Sequence, residues 1–263
     1  MRVGISTACF YPQPLEEVLP VLAGLGVHAI EIFFNTESEF APQFYEQLGA
    51  QAKSCGLDVV SVHPYTSLME GMLLFSDYKR RTEDGMMQYQ RYFECAAALD
   101  ARFLTFHGER DMGFQDDPAR WARKCEVYRR LCGLASACGI TLAQENVAWC
   151  RSRDPGFLRA LYRDVPELRY TLDIKQARRA GRNWKEFIDA VGDRIVNVHI
   201  NDFSAEQTCL LPGAGSMDYA DFFSQLRGVG YDGHTLIEVY RSNFKSTEEM
   251  GRAVRLLSRF ASV

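Results

Sequence analysis

Short apolar runs alternate with longer amphipathic segments along the whole chain. The runs predict strands at 2–6, 27–33, 57–63, 101–107, 140–146, 169–173, 194–200 and 235–240. Most are rich in Val, Ile, Leu, Phe and Thr, and several are apolar on both faces, as strands covered on both sides by crossover helices must be. Between them lie helix-like segments. Pro14 to Leu25 opens with proline and closes before Gly26, a start and stop pair suited to helix geometry. Pro42 to Cys55 closes before Gly56, Pro118 to Cys138 before Gly139, and Asp218 to Arg227 before Gly228, while Thr247 to Phe260 ends the series. The phrases that begin at Gly26, Gly56 and Gly139 repeat one device, in which a helix stops at glycine and the chain enters a strand.

Eight strands in strict alternation with about eight helices predict a single α/β domain over 1–263, a closed (β/α)8 TIM barrel. No G-x-G-x-x-G follows the first strand, so a dinucleotide-binding open sheet is the weaker alternative. In a closed barrel the C-terminal strand ends form one rim, which is where the active site is expected.

The strand ends are polar at that rim. Strand two carries Glu31, strand three ends at His63, and strand four runs into His107. Strand five ends in Gln144-Glu145-Asn146 and strand six in Leu172-Asp173-Ile174. Strand seven ends in His199-Ile-Asn-Asp202, and strand eight in Ile237-Glu238-Val239. One such residue means little; seven of eight strands sharing the feature is a pattern. Several buried carboxylates need compensation. One divalent cation shared by Glu145, Asp173, His199 and Glu238 would supply it. An oxygen-rich set with one imidazole suits Mn, Mg or Co, with Zn or Fe as alternatives.

Composition narrows the classes. The net charge is -4 and the pI about 5.8, against the basic surface expected of a nucleic-acid binder. No apolar run reaches the roughly 18 residues of a membrane span, and the N-terminus lacks the apolar core of an export signal. The eight cysteines contain no C-x-x-C pair and read as reduced core residues. A cytoplasmic protein without membrane or nucleic-acid partners is therefore expected.

The segments around Glu145, Asp173, His199 and Glu238 resemble the metal-site segments of the xylose isomerase-like barrel superfamily. The stretch Leu211-Pro-Gly-Ala-Gly-Ser-Met-Asp218 is similar to its glycine-rich loop before helix seven. The resemblance covers about residues 1–260. It implies a metal-dependent isomerase or epimerase of a sugar or sugar phosphate, working through a metal-stabilised enediolate. Glu145 and Glu238 would exchange the proton, and Asp173 and His199 would mainly hold the metal. A dehydratase of a cyclic polyol ketone and an apurinic-endonuclease-like phosphodiesterase are the alternatives. The partner implied is a small carbohydrate, with a homodimer or homotetramer by analogy. Many relatives carry Asp-x-x-His on strand six, whereas this chain has Asp173-Ile-Lys-Gln176. A glutamine amide hydrogen-bonds but exchanges no proton near neutral pH.

The remaining candidates each carry a plain alternative. His63 and His107 are either substrate contacts or core histidines bonded to backbone. Gln176, Lys175 and Trp149 are candidate substrate contacts, against a solvated lysine and a packing tryptophan. Glu31 and Asp202 are candidates to orient metal ligands, Asp202 serving otherwise to cap a turn. His28 reads as structural and His234 as a turn residue before strand eight. Arg151, Arg153, Lys175, Arg178, Arg179 and Arg182 form either a solvated helix face or a handle for an acidic substrate. The apolar segment Leu68–Phe75 reads as a lid or a subunit contact.

Overall fold

The computed structural model describes residues 1–113 and 116–262. Eight parallel strands close into one barrel in sequence order: β1 (Arg2–Ser6), β2 (Ala29–Phe33), β3 (Asp58–His63), β4 (Phe103–Phe106), β5 (Thr141–Glu145), β6 (Arg169–Asp173), β7 (Ile195–Ile200) and β8 (His234–Ile237). β8 closes the ring against β1, with Arg2 opposite His234 and Ile5 opposite Ile237. β1 and β6 match their apolar runs, whereas the other six strands are shorter because the run ends pass into turns. Glu238 consequently sits just beyond β8.

Ten α-helices lie between and after the strands among the described residues. They are α1 (Leu15–Gly24), α2 (Pro42–Ser54), α3 (Glu70–Leu73), α4 (Lys79–Ala98), α5 (Pro118–Ala137), α6 (Pro155–Asp164), α7 (Ile174–Arg179), α8 (Trp184–Val191), α9 (Tyr219–Gly228) and α10 (Thr247–Ala261). The count exceeds the expected eight because short helical turns, α3 and α7, form within the loops after β3 and β6. Proline occupies the first turn of α2, α5 and α6, where its missing N–H costs nothing. Asp117, Asp154 and Asp218 cap α5, α6 and α9 through bonds to backbone N–H groups. Gly26 and Gly139 take positive φ of 72° and 73° after α1 and α5, a conformation in which a side chain is strained.

The layer between barrel and helices is apolar and tightly filled. Behind β4, Phe106 lies between the rings of Tyr89 and Tyr128, both edge-on at 88° and 5.5 and 5.9 Å. This packing fixes the strand that presents His107 to the mouth. At the opposite end of the barrel, His234 is the buried first residue of β8 rather than a turn residue. Arg102 approaches its Nδ1 to 3.2 Å. Burial, with Arg102 and Arg2 nearby, pushes its pKa down to about 4.

Candidate metal centre

Glu145, Asp173, His199 and Glu238 converge at the barrel mouth, each offering one ligand atom within 4.8 Å of the others. Strand geometry brings them together: Asp173 pairs in register with His199, and Glu238 follows the strand next to β7. The first three are buried, whereas the Glu238 side chain is 15% exposed and marks the open side. His199 Nδ1 lies 2.8 Å from Glu238 Oε2, 3.6 Å from Glu145 Oε1 and 3.7 Å from Asp173 Oδ2. Yet His199 Nδ1, Asp173 Oδ2 and Glu238 Oε2 make no hydrogen bond of acceptable geometry. Buried polar atoms without partners are costly. A cation among them satisfies all at once, so the donor set fits a divalent metal.

The electrostatics agree. Burial pushes the Asp173 carboxyl up to about 7, with Glu238 and Glu145 adding to the rise and Lys175 opposing it. Burial works against ionised Glu145 and Glu238 too. His107 nonetheless holds Glu145 well below the usual carboxylate range, and Lys175 and His199 do so for Glu238. Burial would lower His199, but Glu31 and Glu238 raise it well above an ordinary imidazole. Protons on His199 and Asp173 thus occupy the role that a metal would take over.

The layer beneath the mouth orients the ligands. Glu31 is fully buried and accepts from Ser6, Ser61 and Thr105 at 3.1, 2.7 and 3.0 Å. Its Oε2 also lies 3.1 Å from His199 Nε2. Since a carboxylate only accepts, Nε2 carries the proton and Nδ1 faces the cluster. A bulge between Ile30 and Glu31 falls at the residue whose carboxylate enters the barrel. Asn146 clamps β6, donating to the Asp173 carbonyl at 2.9 Å and accepting from its N–H at 2.7 Å.

His63, His107 and Glu145 form a second cluster of ligand-capable atoms. The two Nε2 atoms are 2.9 Å apart, and Glu145 Oε2 lies 2.8 Å from His107 and 3.7 Å from His63. Glu145 therefore turns Oε1 toward His199 and Oε2 toward the two imidazoles. His63 also bonds the Pro64 carbonyl through Nδ1 at 3.1 Å, while His107 Nδ1 has no partner.

A family model described as xylose isomerase-like TIM barrel matches residues 19–260. The chain belongs to that family. Uncharacterized proteins of Mycobacterium tuberculosis (strain H37Rv) and Methanocaldococcus jannaschii are 24% and 22% identical to it. The alignments cover 95% and 91% of this chain and 92% and 88% of those proteins. Among solved structures, a D-tagatose 3-epimerase-like protein superposes with a TM-score of 0.81 at 19% identity, covering 100% of this chain and 97% of that one. D-psicose 3-epimerase from Clostridium cellulolyticum H10 gives 0.81 at 17% over 100% and 98%. The 3-keto-D-glucoside 4-epimerase from E. coli gives 0.77 at 18% over 98% and 99%. At these identities the likeness is one of fold.

Within this xylose isomerase-like barrel, several candidates take other places than expected. Lys175 is buried rather than solvated, with Nζ 2.9 Å from Glu238 Oε1 and 3.6 Å from Asp173 Oδ2. Among the described residues Asp202 makes no hydrogen bond or ion pair through its side chain to either cluster. It accepts from the N–H groups of Phe203, Gly213, Gly215 and Met217 and from the Tyr219 hydroxyl, and so organises the glycine-rich loop. Gln176 is buried and its amide oxygen accepts from Ala148 N–H at 3.3 Å, tying α7 to the loop after β5. Trp149 stands edge-on to His107 at 5.7 Å, with its Nε1 unpartnered. In the Leu68–Phe75 segment, Leu68 and Met72 face solvent, but Glu70 is buried and bonds Tyr89 and the Gly108 N–H. Glu70, Ser61 and Thr105 escaped the sequence reading, and Asn146 stood in it only as part of the strand-five end. Ser61 and Thr105 lie two residues before His63 and His107, and the two-residue period of a strand was the available signal.

Proposed function

We propose that this chain is a divalent-metal-dependent isomerase or epimerase of a sugar or sugar phosphate, acting by proton transfer beside a carbonyl. One observation carries the reading: Glu145 and Glu238 approach His199 Nδ1 to 3.6 and 2.8 Å, beside the buried Asp173. A divalent cation bound there supplies Lewis-acid polarisation of a carbonyl and a neighbouring hydroxyl. Glu145, Asp173, His199 and Glu238 hold it. Glu145 and Glu238 take a proton from the substrate and return one. Return to the same carbon inverts it; return to the adjacent carbon isomerises. Lys175 engages Glu238 Oε1 and leaves Oε2 turned to the cluster. The likeness in fold to two sugar epimerases and a D-tagatose 3-epimerase-like protein supports the assignment.

The test is solvent exchange. Metal-loaded protein is incubated in D2O with ketoses, their phosphates and inososes, and deuterium is followed by NMR. Incorporation next to the carbonyl, lost in Glu145→Gln, is expected. No incorporation with any of these compounds overturns the reading.

One observation favours a second reading, metal-dependent phosphodiester cleavage: the His63–His107–Glu145 cluster beside the first gives room for two cations sharing Glu145. Against it stand the net charge of -4 and Gln176 where a further imidazole would be needed. Cleavage of abasic-site DNA by the metal-loaded protein, without deuterium exchange into any ketose, would select it.

A further inference from the structure

The six basic residues above β5 and β6 divide into two groups. Arg151 pairs with Asp116 at 3.1 Å and Arg153 with Asp111 at 2.7 Å. Arg182 reaches Glu186 at 3.2 Å and Asp154 at 3.8 Å. Their charges are answered within the protein. The other three lie on α7, directly after Asp173. There Lys175 is engaged by Glu238 and Asp173. Neither Arg178 nor Arg179 has a carboxylate within ion-pair distance among the described residues.

What surrounds these two arginines is aromatic. The Arg178 guanidinium lies over Phe203 at 4.4 Å, and its Nε is buried with no hydrogen-bond partner. The Arg179 guanidinium lies over Tyr240 at 5.2 Å, and Lys175 Nζ over the same ring at 5.4 Å. Lys175 and Arg179 are four residues apart and so share one face of α7. Lys175 shows where that face points, since its Nζ touches Glu238. Arg179 stands one turn on, beside Tyr240, which is 43% exposed. Stacking on an aromatic face holds a guanidinium in place while leaving its N–H fork free. Such a fork suits the planar or branched oxygens of a carboxylate or phosphate.

We infer that Arg178 and Arg179 bind an anionic group of the substrate, a phosphate or a carboxylate carried away from the reacting carbon. This rests on the isomerase or epimerase reading and names the substrate class within it: anionic rather than neutral sugars. Phe203 and Tyr240 position the two guanidinium groups, and Lys175 stays with Glu238.

Three ketoses that differ only at the terminal carbon separate the cases: D-fructose, D-fructose 6-phosphate and D-fructuronate. Their affinities for the metal-loaded full chain are measured by calorimetry, in wild type and in Arg178→Gln/Arg179→Gln, with metal content and melting temperature confirming that the variant folds. Wild type is expected to bind at least one anionic ketose about ten-fold or more tightly than D-fructose, with the preference weakening as salt rises. The double variant should bring that ratio toward one. The tighter of the two anionic ligands tells phosphate from carboxylate. Equal binding of all three by wild type, or a preference that survives the double substitution, overturns the inference. Deuterium exchange into D-fructose with no preference for the anions leaves the isomerase reading standing and removes the anion site. A preference lost in the variant, with no exchange into any ketose, does the reverse. Binding of none of the three overturns the anion site and leaves the isomerase reading to the deuterium-exchange test on the wider set of ketoses, their phosphates and inososes.

Discussion

The two halves of the barrel mouth solve different electrostatic problems. The β5–β8 half brings together three carboxylates and one imidazole, the β3–β4 half two imidazoles that share Glu145 with it. Neutral imidazoles can stay buried without a counter-ion, whereas three carboxylates cannot. The charge-rich half therefore needs positive charge, part of which Lys175 supplies and the rest of which a divalent cation would supply. The imidazole half could hold one only by sharing Glu145, which faces it through Oε2 at 2.8 Å from His107. The shifts cut across this division: burial lowers His107, but against burial Glu145 and Glu31 raise His63 beside it, as Glu31 and Glu238 raise His199.

Substituting the shared residue should have the largest effect. Glu145→Ala is expected to cut turnover by about 10²–10⁴-fold, the usual worth of a proton-transfer group. It should also weaken metal binding in both halves, visible as lower metal content per chain. Breaking the support under one half comes next. Glu31→Gln leaves a partner at His199 Nε2 but removes the charge, and should weaken metal binding about 10–100-fold with little change at His63 and His107. Competition titration with a fluorescent chelator measures it.

The pH dependence sharpens the contrast further. Asp173 titrates near 7 in the metal-free fold, and His199 is raised above the ordinary imidazole value. Metal binding must displace these protons, so affinity should climb as pH rises toward 7 and beyond. Stability of the metal-free protein runs the other way. Between the ordinary carboxylate value and about 7, folded Asp173 retains a proton that the unfolded chain has lost. Its contribution therefore falls as pH rises through that window. Melting curves with and without metal from pH 5 to 8 should diverge. The smallest effect is expected from His63→Asn, which should remove any second cation and leave the first in place. Loss of the first metal in that variant would show that the two halves are not separable.

What the chain revealed in advance follows from periodicity. The helix-to-glycine-to-strand device at Gly26, Gly56 and Gly139 carried the barrel, and strand-end residues carried the cluster. Strand ends were legible because a parallel barrel places them on one rim whatever the loops do. Residues of the loops above were not. Lys175 reads as a surface lysine on a short basic stretch, and only the turn of α7 swings it onto Glu238. Asp202 shares a strand end with His199, but three residues on it faces the glycine-rich loop and gathers four backbone N–H groups instead. The difference between paired Arg153 and unpaired Arg179 depends on Asp111, far away in sequence.

The most direct test of the central claim is metal content by native mass spectrometry of the full chain, wild type against Asp173→Ala. At least one divalent metal per chain in wild type, lost from the β5–β8 half in Asp173→Ala, is the predicted result. A wild-type chain that binds no metal under any loading condition would contradict the account.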